Sequence, residues 1–146
     1  MSEGGPPHRR GPRFFDEPGI LFEGCTDFVF TETMSERKKA MEDMSDAFVT
    51  LPGGIGTFKE FFEALTLKQL GRHAKAMAVL STLGCYDAME AMLVRAVEER
   101  FFPEDGHALY AVFTDAAALL DYVESYEAEP EDVWKEKILG KYNAEK

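Results

Sequence analysis

"VTLPGGIGTFKEFFEAL", residues 49–65, sets Pro52 and three glycines, Gly53, Gly54 and Gly56, between a short apolar run and a segment with helical periodicity. The run that leads into it, "AFVTL" (47–51), is apolar and β-prone at successive positions, the pattern of a strand covered on both faces. Beyond it, Phe58, Phe61, Phe62 and Leu65 recur at i, i+3, i+4 and i+7, which predicts a helix burying an aromatic face. Strand, glycine loop and helix thus follow one another with no linker. Pro52 ends the strand, and the glycines remove every Cβ that would hold an anion away from the backbone. The first N–H groups of a helix lack intrahelical partners, and the helix dipole favours negative charge there. The expectation is a phosphate seated on Gly53, Gly54, Gly56 and Thr57, with Thr57 either capping the helix or donating its hydroxyl to a phosphate oxygen.

Working outward, "TDFVFT" (26–31) reads as a strand and "ETMSERKKAMEDMSD" as a helix, with Thr33 as N-cap and Glu36 completing a capping box. The helix after the glycine loop is expected to end at Gly71. "KAMAVLS" (75–81) and "ALYAVF" (108–113) read as further strands. Between them Tyr86 to Arg100 form a helix with Met89, Met92, Leu93 and Val97 inward, and Asp115 to Tyr126 form another, capped by Thr114. Strands alternating with helices at this spacing imply right-handed βαβ crossovers and a parallel sheet. The fold class is therefore α/β, a Rossmann-like parallel sheet flanked by helices, with ligands expected beyond the carboxyl ends of the strands. Residues 1–19, rich in Gly, Pro and Arg without periodicity, are expected to be a loose arm, 20–126 the nucleotide-binding domain, and 127–146 an acidic, partly helical tail around Val133, Trp134 and Ile138.

Composition bounds the partners. With 146 residues, 45% hydrophobic and 29% charged, the chain can form one domain with a real core. A formal charge of −11 argues against a nucleic-acid polymer or an anionic membrane surface. No apolar run approaches membrane-spanning length and the N-terminus has no signal-peptide core. Cys25 and Cys85, far apart and in no CxxC arrangement, fit a reducing cytoplasm, the expected location. The acids are too scattered to suggest a metal cluster.

Two side chains stand out beside the loop. Glu60, three residues after Thr57, lies one turn along the helix and off the aromatic stripe, so it is expected to look towards the ligand. On the preceding helix Arg37 shares a stripe with Met34, Met41 and Met44, where a guanidinium requires an anionic partner or a route to solvent. Met34 and Lys38, on the same helix, are weaker candidates for substrate contact. His8, His73 and His107 have no Ser, Cys or carboxylate at telling spacing, and His73 is expected in a surface loop.

"MSERKKAM…SDAFVTLPGGIGTFKEFFEALTLKQLG" resembles the signature of the Lonely Guy family, cytokinin-activating nucleoside 5′-monophosphate phosphoribohydrolases often labelled lysine decarboxylases. The family pattern pairs Arg-Lys on one helix with Pro-Gly-Gly-x-Gly-Thr-x-x-Glu after the next strand; Arg37-Lys38 and Pro52 to Glu60 match it, and the likeness runs from about Phe14 to Tyr126. Nothing in these residues suggests a pyridoxal-phosphate lysine site. The resemblance implies hydrolysis of the N-glycosidic bond of a nucleoside 5′-monophosphate, of the AMP or cytokinin riboside type, to free base and ribose 5-phosphate. It implies a homodimer with no metal or redox cofactor, Gly53, Gly54, Gly56 and Thr57 holding the phosphate, and Arg37 and Glu60 as the catalytic pair. Family members usually begin with a further βαβ segment carrying a second glycine-rich loop. This sequence shows no counterpart, so an N-terminally shortened member is expected. The alternatives are a non-catalytic module that binds a nucleotide or carries a phosphorylated cofactor, and an inactive subunit partnering a full-length relative.

Overall fold

The structure, a computed structural model, describes residues 9–12, 28–130 and 136. Its residues fall into two compact units divided between Ser45 and Asp46. The first contains strand β1 (Arg9–Pro12), strand β2 (Phe28–Thr31) and helix α1 (Met34–Met44). β1 runs parallel to β2, with Arg9 opposite Phe28 and Pro12 opposite Thr31. This strand lies within the stretch expected to be a loose arm, and it precedes the strand expected to be first. "RRGP" carries no alternating apolar signal and ends in a proline, so its strand character comes from the partner and not from its own pattern.

α1 starts as its sequence dictates. The Thr33 hydroxyl accepts from the Glu36 N–H at 3.1 Å, while the Glu36 carboxylate accepts from the Thr33 N–H at 3.3 Å and the Glu32 N–H at 2.7 Å. These bonds occupy donors that a bare helix start leaves unpaired.

The second unit is a three-stranded parallel sheet in the order β3–β4–β5, with β3 at Ala47–Thr50, β4 at Ala76–Leu80 and β5 at Ala111–Phe113. Helix α2 (Ile55–Gln69) links β3 to β4, helix α3 (Asp87–Glu98) lies between β4 and β5, and helix α4 (Ala116–Ser125) follows β5. Thr50 pairs with Val79 and Leu80 with Phe113, so the three strands finish close together at their carboxyl ends. Central β4 is the buried one: Ala76, Met77, Ala78 and Val79 are all sealed. Met77 and Val79 join Phe61 and Leu65 of α2 and Leu93 of α3 in the main core. Ala76 and Ala78 face the other way, where small side chains let α4 pack on β4.

The helix ends follow the local sequence in some places and depart from it in others. α2 closes in a Schellman motif: the Arg72 N–H bonds Leu67 O at 2.8 Å, the Gly71 N–H bonds Lys68 O at 3.0 Å, and Gly71 takes φ +68°. α4 is capped by Asp115, whose carboxylate accepts from the Ala118 N–H at 3.0 Å, and not by Thr114. Met92 of α3 is 55% exposed, against the expectation that it points inward, because Leu93 takes the core position beside it. The strand expected over 108–113 is shorter: Glu104–Leu109 wind as a 3-10 turn, and only Ala111–Phe113 pair with β4. The tail residues Val133, Trp134 and Ile138, together with Cys25 and His8, lie outside the described residues. No helix among the described residues is long and apolar enough to cross a membrane.

Candidate functional site

β3 ends at Thr50, and the chain passes through Leu51, Pro52 and Gly53 before α2 begins at Ile55 with Gly54 as N-cap. The first intrahelical bond is from the Phe58 N–H to Gly54 O, at 3.0 Å. The N–H groups of Ile55, Gly56 and Thr57 therefore precede the helical ladder, the arrangement that suits an anion. Thr57 sits inside the first turn and is not the cap, which leaves its hydroxyl to other work.

The glycines divide into two kinds. A Cβ on Gly53 would lie 2.2 Å from Thr57 Oγ1, so the absence of a side chain there lets the helix fold back over the loop. At Gly54 and Gly56 a Cβ would meet no protein atom within 4 Å, and neither residue has a positive φ. Neither packing nor backbone conformation calls for glycine at these two positions. Gly54 suits its N-cap position, and the open space at both glycines leaves room for the close approach of an anion.

A groove of about 480 Å³ runs alongside, lined by the end of β3, by Leu51 and Pro52, and by Gly56, Thr57 and Glu60 of α2, with Phe61 and Met77 at its floor. Thr57 and Glu60, one turn apart, share one wall of it. Glu60 is exposed, whereas its neighbour Phe61 is 3% exposed, which separates the carboxylate from the aromatic stripe as the spacing predicts.

Arg37, Lys38 and Met34 belong to the first unit. Arg37 and Lys38 are half-buried, and Met34 is 52% exposed, as are Met41 and Met44 in similar measure. Thr57, Gly56 and Glu60 thus meet in one groove of the second unit, while the cationic candidates stand on α1.

Sequence reasoning missed Tyr86 beside the loop, and the roles of Lys68 and His73 towards the far end of α2. Tyr86, 3% exposed, donates its hydroxyl to Leu51 O at 2.6 Å, at the exit of β3. Burial pushes its phenol up, the nearby Cys85 adds to this, and the Gly53 backbone N–H, donating to the phenol oxygen, opposes them. His73 lies in the loop between α2 and β4, as expected, but is half-buried there: its Nδ1 accepts the Lys75 N–H at 3.2 Å, so its Nε2 carries the proton and donates to Ala64 O at 2.8 Å. Lys68 is 2% exposed and donates to Leu109 O at 2.8 Å and to the Tyr126 hydroxyl at 2.9 Å. Only Lys68 left a trace in the sequence, since Phe61, Leu65 and Lys68 continue the buried stripe at i, i+4 and i+7.

Fold and loop together define a Rossmann-like α/β protein whose glycine loop opens a helix at the carboxyl end of a parallel strand. A family model described as "possible lysine decarboxylase" matches residues 11–123, and the chain belongs to that family. Among its relatives is a cytokinin riboside 5′-monophosphate phosphoribohydrolase of Arabidopsis thaliana, 34% identical over 113 residues, which are 77% of this chain and 53% of the relative. A probable enzyme of the same name from Oryza sativa subsp. japonica is 42% identical over 94 residues, 64% of this chain and 41% of the relative. The Mycobacterium marinum protein of that name is 48% identical over 82 residues, 56% of this chain and 44% of the relative. The chain spans about half the length of these curated relatives.

Proposed function

We propose that this chain hydrolyses the N-glycosidic bond of a nucleoside 5′-monophosphate, giving free base and ribose 5-phosphate. The observation that carries the reading is the groove wall on which Thr57 and Glu60 stand one turn apart, directly after two glycines that the fold itself does not require. The relatives' name, phosphoribohydrolase, supports the reaction class.

In this reading Gly53, Gly54, Gly56 and Thr57 hold the 5′-phosphate at the start of α2, which fixes the ribose over the groove. Departure of the base builds positive charge on the ribose ring. The Glu60 carboxylate, one turn from the phosphate, stabilises that charge and orients the attacking water. Water supplies hydroxide to the anomeric carbon and its proton leaves with the base, so no redox partner enters the balance. Arg37 meets the anionic nucleotide or steadies Glu60, and Met34 and Lys38 contact the substrate more peripherally. The working form is a homodimer in the cytoplasm.

Chromatographic detection of adenine after incubation with AMP tests this, beside a Glu60→Gln control. Adenine from the unmutated protein and none from Glu60→Gln is the expected result. Equal release from both would remove Glu60 from the mechanism. Binding of AMP without release would favour the non-catalytic binding module.

A further inference from the structure

We infer that Tyr86 is a positioning residue that clamps the glycine loop at both of its ends, an inference that rests on the proposed phosphate role of that loop. Its hydroxyl holds the strand end, donating to Leu51 O at 2.6 Å. Its ring holds the helix end, meeting Phe58 of the first turn of α2 edge-on, with centroids 6.1 Å apart and planes at 77°. Residues 52–57, the whole glycine loop, lie between these two points.

The clamp is itself anchored. The Tyr86 N–H donates to Ser81 Oγ at 3.0 Å, and the Ser81 N–H donates to Phe113 O at 2.7 Å, at the end of β5. Ser81 is 1% exposed and Tyr86 3%, so this chain of bonds is shielded from water and tied to two strands of the sheet. A buried aromatic with its hydroxyl paired has few ways to move. The loop needs such a hold. Its glycines widen the backbone's freedom, and Gly54 and Gly56 contribute no side chain with which to pack. A phosphate seat made of backbone N–H groups binds well only when those groups are already aimed. Tyr86 supplies that aim from the neighbouring β4–α3 connection, outside the glycine motif itself.

A phosphate hold acts on substrate and transition state alike, so its loss raises KM and spares kcat. Glu60 keeps its place, because α2 is fixed independently through Phe61, Ala64 and Leu65 in the core. The test is Tyr86→Phe, which removes one oxygen and keeps the ring. Tyr110→Phe serves as control; that tyrosine loses a comparable bond, to Glu90 Oε1 at 2.7 Å, on another element.

The expected result for Tyr86→Phe is a roughly tenfold weaker affinity for inorganic phosphate and a similar rise in KM for AMP, equivalent to about 1.4 kcal/mol. kcat should stay within about twofold, and amide hydrogen exchange across 51–57 should quicken while the rest of the sheet is unchanged. Tyr110→Phe should leave loop exchange and phosphate affinity alone. Unchanged exchange across 51–57 in Tyr86→Phe would overturn the clamp, as would a fall in kcat with KM unaltered. If the unmutated protein binds neither phosphate nor AMP, the phosphate reading fails, and loop exchange alone then upholds or overturns the clamp.

Discussion

Lys68 carries its ammonium into the core of the second unit, where Leu109 O and the Tyr126 hydroxyl are its hydrogen-bond acceptors. Burial lowers its pKa from 10.5 to about 8, with Glu129 pulling partly the other way. Between pH 8 and 10.5 the unfolded chain therefore binds more protons at this group than the folded one, so stability rises with pH in that window. The penalty for burying the charge is fully present below pH 8 and is on the order of 3 kcal/mol. Above pH 10 the tyrosines work in the opposite sense: burial raises Tyr86, Tyr110, Tyr122 and Tyr126, so the unfolded phenols ionise first and stability falls. Lys68→Met should flatten the rise between pH 8 and 10, read as the difference between the two proteins' urea midpoints; parallel curves would show that Lys68 does not titrate with folding. Glycines give a second contrast at the same scale. Gly54→Val sets its Cβ where no other part of the chain lies within 4 Å, so stability should fall by no more than a poorer N-cap costs, about 1 kcal/mol, while phosphate binding is lost. Gly53→Ala sets a Cβ against Thr57 Oγ1 and should lower both. Phosphate affinity unchanged in Gly54→Val would remove the anion from the loop.

Elements were legible where the signal was local. The capping box at Thr33 and Glu36, the apolar run of β4 and the glycine loop between β3 and α2 all depend on residues a few positions apart, and the sequence displays them directly. β1 was not legible because "RRGP" owes its strand form to pairing with β2, a partner distant in sequence. Asp115 displaced Thr114 as the α4 cap by a single position, a difference decided by where β5 releases the chain. The candidate site divides in the same way: Thr57 and Glu60 follow from helical spacing, whereas Tyr86 reaches Leu51 across 35 residues and leaves no periodic trace. The end of α2 offers an element-scale test of local coding. Gly71 sits at φ +68°, so Gly71→Ala forces a Cβ into the left-handed region at a cost of about 1–2 kcal/mol. A melting temperature lower by several degrees with phosphate affinity kept is expected, since the change lies at the far end of the helix from the loop. No loss of stability would mean that the Schellman turn relaxes without strain.

For the molecule as a whole, the arrangement of the proposed catalytic pair is the decisive matter. The proposal gives a catalytic role to Arg37 on α1 and to Glu60 on α2, and the way their mutations combine tests whether the two act on the same transition state. Independent contributions and joint ones differ in how mutations combine. Residues stabilising the same transition state are strongly non-additive, because once one is lost the other has little left to act on. Arg37→Ala and Glu60→Gln should each reduce kcat/KM for AMP by about a hundredfold or more, in the range set by losing one electrostatic or acid–base partner. The double variant should then be scarcely worse than the weaker single one. If the two losses multiply instead, Arg37 acts on binding or folding apart from Glu60, and its catalytic role is withdrawn. If Arg37→Ala is fully active, Arg37 contributes nothing to the reaction, and the groove of Thr57 and Glu60 carries the chemistry without it.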